Sequence, residues 1–403
     1  MFPALAVLAA TCALGLIATC PSAAVALWIL ALATSPDSWL DSLIGGHEAT
    51  VAALKSFGLA VLGLAALRYG LKRDRYNPAL AFAAMFLIGI VHGLYPGLTP
   101  LDSVRSLIGS AAPFLFSCIR MPERFRDAVI RATLWAPLCA VAVCAVLAAL
   151  GLDHLYALEL GALRLGGAGQ PPFLAGFALI GVYAGLMAYL VSPRPTTAAL
   201  VAVNFAIVLL TGARAPLLLA TLDILAVLLM QRRLVLLAAA GALGCCALIF
   251  AGALNFIRVI GLTQLGQATN LSNRNLVWPY FQQAFASSPL FGWGTGAGKV
   301  IIPVTSQLTS LLGTNAAHNE YLRIGTEGGV FGLGLLLVLI ILWVRRGSAP
   351  LPAAQRWLMR LIFIGFAIHS ATDNTLIATT SSVFFIWASA IFANPKNRTT
   401  SPA

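Results

Sequence analysis

The sequence predicts an all-α polytopic membrane protein, and three observations carry that prediction. Of the 403 residues, 60% are hydrophobic and only 9% are charged, with a mean hydropathy of +0.90; this balance excludes an ordinary soluble domain. Apolar runs long enough to span a bilayer recur from end to end, each punctuated by Pro, Gly or charge. Basic residues cluster in the short connections between those runs, at Lys72/Arg73/Arg75, Arg120/Arg124/Arg126, Arg194, Arg232/Arg233, Arg345/Arg346/Arg356 and Lys396/Arg398. All these clusters fall on one side of the expected membrane, which the positive-inside rule makes cytoplasmic. The formal charge of +12 is therefore a topology signal. No nucleic-acid-binding motif accompanies it, and no nucleic-acid partner is expected.

Taken in order, the expected spans are 2–35 (interrupted at Cys20-Pro21), 51–69, 79–95, 104–119, 129–150, 173–191, 198–213, 216–230, 234–252, 330–344, 357–372 and 376–393. About twelve crossings within one integral membrane domain, residues 1–403, follow from them, with a cytoplasmic C-terminus. The first forty or so residues read either as one broken crossing or as a hairpin, which leaves the side of the N-terminus open. That segment is apolar from Phe2, without a basic leader or a small-residue cleavage site, and reads as a retained membrane segment. The seven cysteines (12, 20, 118, 139, 144, 245 and 246) lie in or beside apolar runs without metal-ligand spacing, so they read as small core hydrophobes.

The opposite side of the membrane holds the polar segments. These are 36–50 with Asp37, Asp41 and Glu48, then 151–172 with Arg164 and GGAGQPP, the tight turn TGARAP at 211–216, and the long excursion 253–329. The last is too long for a mere connector. Within it, NAAHNEYLRIGTEGG at 315–329 gathers His318, two acids and an arginine. A short helix N-capped at Asn315 or Thr314 and stopped by Gly328-Gly329 is expected, with Asn319, Arg323, Thr326 and Glu327 on one face. His318 would then lie in the first turn, where the positive helix end disfavours an imidazolium and keeps the ring able to accept a proton.

Two arginines join it. Arg214, in TGARAP at the end of a span, is expensive at membrane depth unless it is paired or faces a polar cavity. Arg274 lies in the long excursion, ahead of an apolar stripe (Leu276, Val277, Tyr280, Phe281, Ala284) expected to lie along the bilayer surface. FGWGTGAG at 291–298 offers backbone N–H groups that suit an anion. Arg pairs hold diphosphates by bidentate contacts and stabilise leaving-group charge, while a neutral His accepts a proton from an attacking hydroxyl. The combination suits transfer from a lipid-linked diphosphate to an alcohol. No D-x-D pair, His/Cys cluster or P-loop is present, so no metal or other cofactor is needed to explain the site.

TGARAP, Arg274 with Trp278 and SPLFGWGTGAG, and HNEYLRIGTEGGVFG together resemble the bacterial O-antigen ligase and glycan-polymerase superfamily, strongly over roughly 198–345. The resemblance implies a GT-C-type membrane glycosyltransferase, inverting and metal-independent, in the bacterial inner membrane with its active site at the periplasmic face. Its donor would be O-antigen polysaccharide on undecaprenyl diphosphate, and its acceptor, for a ligase, a sugar hydroxyl of lipid A-core. By position Arg214 and Arg274 match the family's diphosphate-binding arginines and His318 its essential histidine. Asn319 and Glu327 match motif positions that support the helix and loop. Arg105 and Arg164 are further candidates for phosphate or sugar. His369 and Asp373 in HSATDNTL read as a local polar network. One departure is Ala213, where the family often has Ser.

An O-antigen polymerase would show two comparable periplasmic loops, whereas one dominates here. A protein O-oligosaccharyltransferase would continue past the last span, whereas this chain stops at Ala403. A lipid-linked glycan flippase would place its polar groups along broken mid-membrane helices in matching halves, a pattern absent from the sequence.

Overall fold

A computed structural model describes Gly15 and residues 18–44, 46–159, 162–167, 169–232, 276–312 and 314–393. Its helices are α1 Pro21–Thr34, α2 Pro36–Ile44, α3 His47–Tyr69, α4 Ala79–His92, α5 Pro100–Leu115, α6 Glu123–Ala149 and α7 Pro171–Val191. They continue with α8 Pro195–Thr211, α9 Arg214–Met230, α10 Trp278–Ser287, α11 Gln307–Leu312, α12 Glu320–Ser348, α13 Ala353–His369 and α14 Thr379–Phe392. Pro opens α1, α5, α7 and α8, where its fixed φ is already helical and its missing N–H is not needed. The Gly-rich connection after α6 folds into an antiparallel hairpin, β1 Tyr156–Glu159 with β2 Ala162–Leu165.

The architecture is that of a multi-pass helical membrane protein. By length and composition α3, α6, α7 and α12 can each cross a membrane, and α1, α4, α8 and α14 are shorter apolar helices. The expected count of twelve is therefore not met by helices of spanning length among the described residues; the expected span 234–252 lies outside them. The interruption expected at Cys20-Pro21 is where α1 begins.

Loop-to-loop contacts sort the connections onto two ends. At one end, the backbone N–H of Lys72 donates to Cys118 and that of Arg120 to Gly70, and Arg346 stacks over Tyr76 at 5.5 Å. Three of the basic connections thus meet, as the charge pattern requires. At the other end, Tyr95 bonds Trp293 and Glu320 bonds Ser370 through the backbone, and Ser103 meets Thr295. The polar excursion and the turns after α4 and α13 are gathered there.

Between the ends, α7 and α14 form the centre. In α14 every residue from Val383 to Ile391 is buried, and α7 is buried on nearly all sides through its middle. Helices apolar all round belong inside a bundle. An aromatic cluster fills the space beside them: Phe384 stacks on Phe366 at 4.9 Å, Phe385 meets Phe114 at 4.1 Å, and Trp343 meets Phe392 edge-on at 5.0 Å. Cys20, Cys118, Cys139 and Cys144 are free thiols; the other three cysteines lie outside the described residues.

Candidate active site

The site is built from a break in a helix. Gly329 interrupts α12 at φ 62°, ψ −166°, a conformation essentially restricted to glycine. Its stop falls where Gly328-Gly329 predicted it, although the helix resumes directly as a long span. In an unbroken helix Val330 and Phe331 would donate to Thr326 and Glu327. Here they donate instead to Pro289 (2.8 Å) and Leu290 (3.1 Å), while Thr326 and Glu327 accept from Trp293 (3.0 Å) and Gly294 (2.9 Å). Four backbone groups freed by the kink are thus satisfied by the segment 289–294. FGWGTGAG is rich in glycine because the two backbones touch: a Cβ on Gly292 would lie 2.5 Å from the carbonyl carbon of Glu327. The anion cradle expected of this loop is corrected in part, since the N–H groups of Trp293 and Gly294 are already committed.

The start of α12 also differs from expectation. Its N-cap is Asn319, whose side chain accepts from the Leu322 N–H at 3.1 Å. Asn315 instead donates to the Lys299 carbonyl at 2.9 Å, and Thr314 accepts from the Ala316 N–H. His318 consequently precedes the cap rather than lying in the first turn, with a left-handed φ of 48°. Such a backbone is uncommon outside glycine and persists where the surroundings over-determine it. They do so here: the His318 N–H donates to Asn374 Oδ1 at 2.9 Å, and the preceding Ala317 carbonyl accepts from the Trp278 indole at 3.0 Å.

Behind the histidine lies a buried ionic triad. Arg323 donates to Glu320 at 2.6 Å and to Glu327 at 3.0 Å, and all three side chains are almost wholly inaccessible. Glu320 also accepts from the Leu376 N–H at 2.9 Å. The triad therefore ties the start of α12 to the turn between α13 and α14. Asn319 and Glu327 are both occupied within the protein, as a cap and as a buried counter-charge.

The same turn carries His369 and Asp373 of HSATDNTL, and it joins them to His318. Asp373 faces His318 Nδ1 at 3.5 Å and His369 Nε2 at 3.5 Å. Asn374 Nδ2 lies 3.2 Å from His318 Nδ1. His318, His369, Asp373 and Asn374 line one wall of a cavity of about 300 Å³. Gln170, Pro172 and Phe173 at the start of α7 and Leu219 of α9 line it as well, and Phe366, Phe384 and Ile377 make much of the remainder apolar.

The arginines divide. Arg214 is the first residue of α9, the helix that contributes Leu219 to the cavity wall. Arg164 is 4% exposed and donates to the Thr211 carbonyl at 2.7 Å, which places it under the turn that carries Arg214. Ala213, the N-cap of α9, makes no side-chain cap bond. Arg105 is exposed, paired with Asp102 at 3.2 Å, and is not among the residues lining the cavity. Arg274 lies outside the described residues. The stripe after it is corrected: Val277, Phe281 and Ala284 are buried, packed with Ile301, Ile302 and Ala317, while Leu276 and Tyr280 are exposed. Spacing of i, i+4, i+7 gives one narrow face, and α12 with its loop, not the bilayer, covers it. Among the described residues no three His, Cys, Asp or Glu side chains gather as metal ligands.

No curated protein matches the chain. A family model described as O-antigen ligase matches residues 199–337, about a third of the chain. That stretch holds Arg214, Arg274, His318, Asn319 and Glu327 but ends before His369 and Asp373. Over residues 199–337 the chain is similar to the O-antigen ligase family, and this similarity supports a place in the O-antigen ligase/polymerase superfamily.

Proposed function

We propose that the protein is an O-antigen ligase, which moves polysaccharide from undecaprenyl diphosphate to a sugar hydroxyl of lipid A-core at the periplasmic face of the inner membrane. The observation that carries this reading is His318, which lies in the family-matched stretch, is clamped through its backbone, is faced by a carboxylate and lines the cavity. A core-sugar hydroxyl attacks the anomeric carbon next to the diphosphate. As the new glycosidic bond forms, the bond to the diphosphate breaks with inversion, and the hydroxyl proton passes to His318. A positioned base typically contributes about 10²–10⁴-fold to such a step. The leaving diphosphate takes the electron pair, and Arg214 with Arg274 holds its charge. Leu219 lies five residues along α9 from Arg214, about 7.5 Å of helix axis, so the helix that starts at the arginine reaches the cavity. The apolar part of the cavity matches a lipid-borne donor. No metal enters this scheme.

His318→Ala and His318→Gln, expressed in a ligase-deficient host, test it. Both should insert and still bind the carrier-linked donor, but attach glycan to lipid A-core at most about a hundredth as fast. Near-normal transfer by the Gln variant, which can hydrogen-bond but cannot take the proton, would remove the base assignment.

A further inference from the structure

Asp373 stands between two imidazoles on one cavity wall: His318 Nδ1 faces its Oδ1 and His369 Nε2 its Oδ2, each at 3.5 Å. The competing neighbour of His318 Nδ1 is Asn374. Its Oδ1 accepts the His318 N–H, which fixes the amide so that its Nδ2, 3.2 Å from Nδ1, acts as a donor. A donor facing Nδ1 favours the tautomer protonated at Nε2, which cannot act as a base through that nitrogen. A carboxylate facing Nδ1 favours the opposite tautomer, with the proton on Nδ1 and a lone pair on Nε2. Which tautomer prevails depends on how firmly the Asp373 carboxylate is aimed at His318.

His369 is placed to hold it. It ends α13, its side chain is 14% exposed, and its Nε2 reaches the far carboxylate oxygen one helical turn on. The turn that carries Asp373 is itself anchored to α12 by Ser370 with Glu320 and by Leu376 with Glu320, and Asp373 Oδ1 also accepts from the Asn374 N–H at 2.9 Å; His369 therefore acts on the far oxygen, Oδ2, and with it on the plane of the carboxylate. Glu320 and Arg323, charged groups on the same side of the turn, are engaged with each other. We propose that His369 is a positioning residue: its Nε2–H fixes Asp373 so that His318 carries its proton on Nδ1 and presents Nε2 to the acceptor hydroxyl. The inference rests on reading His318 as the base.

A double-mutant cycle on the full-length protein in defined liposomes tests it, with carrier-linked polysaccharide and lipid A-core as substrates. His369→Leu should lower kcat about tenfold or more while KM for both substrates stays within about twofold, a size usual for directly coupled polar groups. His369→Gln, which keeps one N–H donor, should recover a large part of that loss. In an Asp373→Asn background, His369→Leu should cost nothing further, because the carboxylate it holds is gone. Equal losses in both backgrounds, or no loss in either, would overturn the proposal. The base reading is judged separately by His318→Gln: if that variant transfers normally, the base assignment fails whatever His369 does, whereas a dead His318→Gln with an unaffected His369→Leu condemns only the role of His369.

Discussion

Replacing Gly329 by Ala should damage the protein far more than a helix glycine normally would. In a regular helix the exchange is favourable by nearly 1 kcal/mol. Gly329 instead sits at φ 62°, ψ −166°, where a side chain costs about 1–3 kcal/mol in backbone strain. A Cβ there would also lie 2.3 Å from the carbonyl carbon and oxygen of Leu290. These are backbone atoms, so relief requires parting 289–294 from the kink. That endangers four backbone hydrogen bonds, each worth about 0.5–1.5 kcal/mol net. Together the strain and the partial loss of those bonds come to about 3–6 kcal/mol. Gly334→Ala is the control, since its Cβ would meet nothing within 4 Å. Thermal unfolding of both variants in detergent gives the comparison, with glycan transfer as second readout. Transfer should fall in Gly329→Ala because 289–294 follows α10, whose Trp278 fixes the backbone beside His318. Equal melting of the two variants, with equal transfer, would refute the reasoning.

Other consequences follow from the same geometry. Arg214→Ala and Arg274→Ala should each leave insertion intact and reduce transfer about thirty- to a thousand-fold, the loss of about 2–4 kcal/mol of charge-assisted contact; Lys should rescue poorly because it lacks the bidentate fork. Wild-type-like transfer by either alanine variant at normal expression would exclude that residue from the site. Arg323→Ala leaves Glu320 and Glu327 buried without their counter-charge and should cost about 3–5 kcal/mol of stability, read as a lowered melting temperature; unchanged melting would show that the triad is not ionic. Chelation with EDTA in detergent and defined lipids should leave transfer intact, and a loss restored by one particular metal would contradict that.

Much of this site was legible because its signals are local. The left-handed stop at Gly329 and the isolated polar run around His318 are written in adjacent residues, so a helix break and a candidate base could be read there. The N-cap was misplaced because Thr314, Asn315 and Asn319 are all acceptable caps by type; contacts from Lys299 and Leu322 decide among them. Asp373 and Asn374 were not recognised as partners of His318 since they lie 55 and 56 residues away, and no periodicity fixes that distance. The usable signal was that HSATDNTL ends an apolar span on the same side as the histidine. The purpose of FGWGTGAG was likewise hidden. Glycines that admit another backbone look, in sequence, like glycines that admit an anion.

The assignment itself turns on what accepts the glycan. Purified protein in liposomes, supplied with undecaprenyl-diphosphate-linked polysaccharide and lipid A-core, should convert lipid A-core into its glycan-bearing form and release one undecaprenyl diphosphate per chain transferred. The same liposomes without lipid A-core should show no lengthening of the carrier-linked chains. Lengthening of those chains, with lipid A-core left unmodified when present, would contradict the ligase reading and make the protein a polymerase.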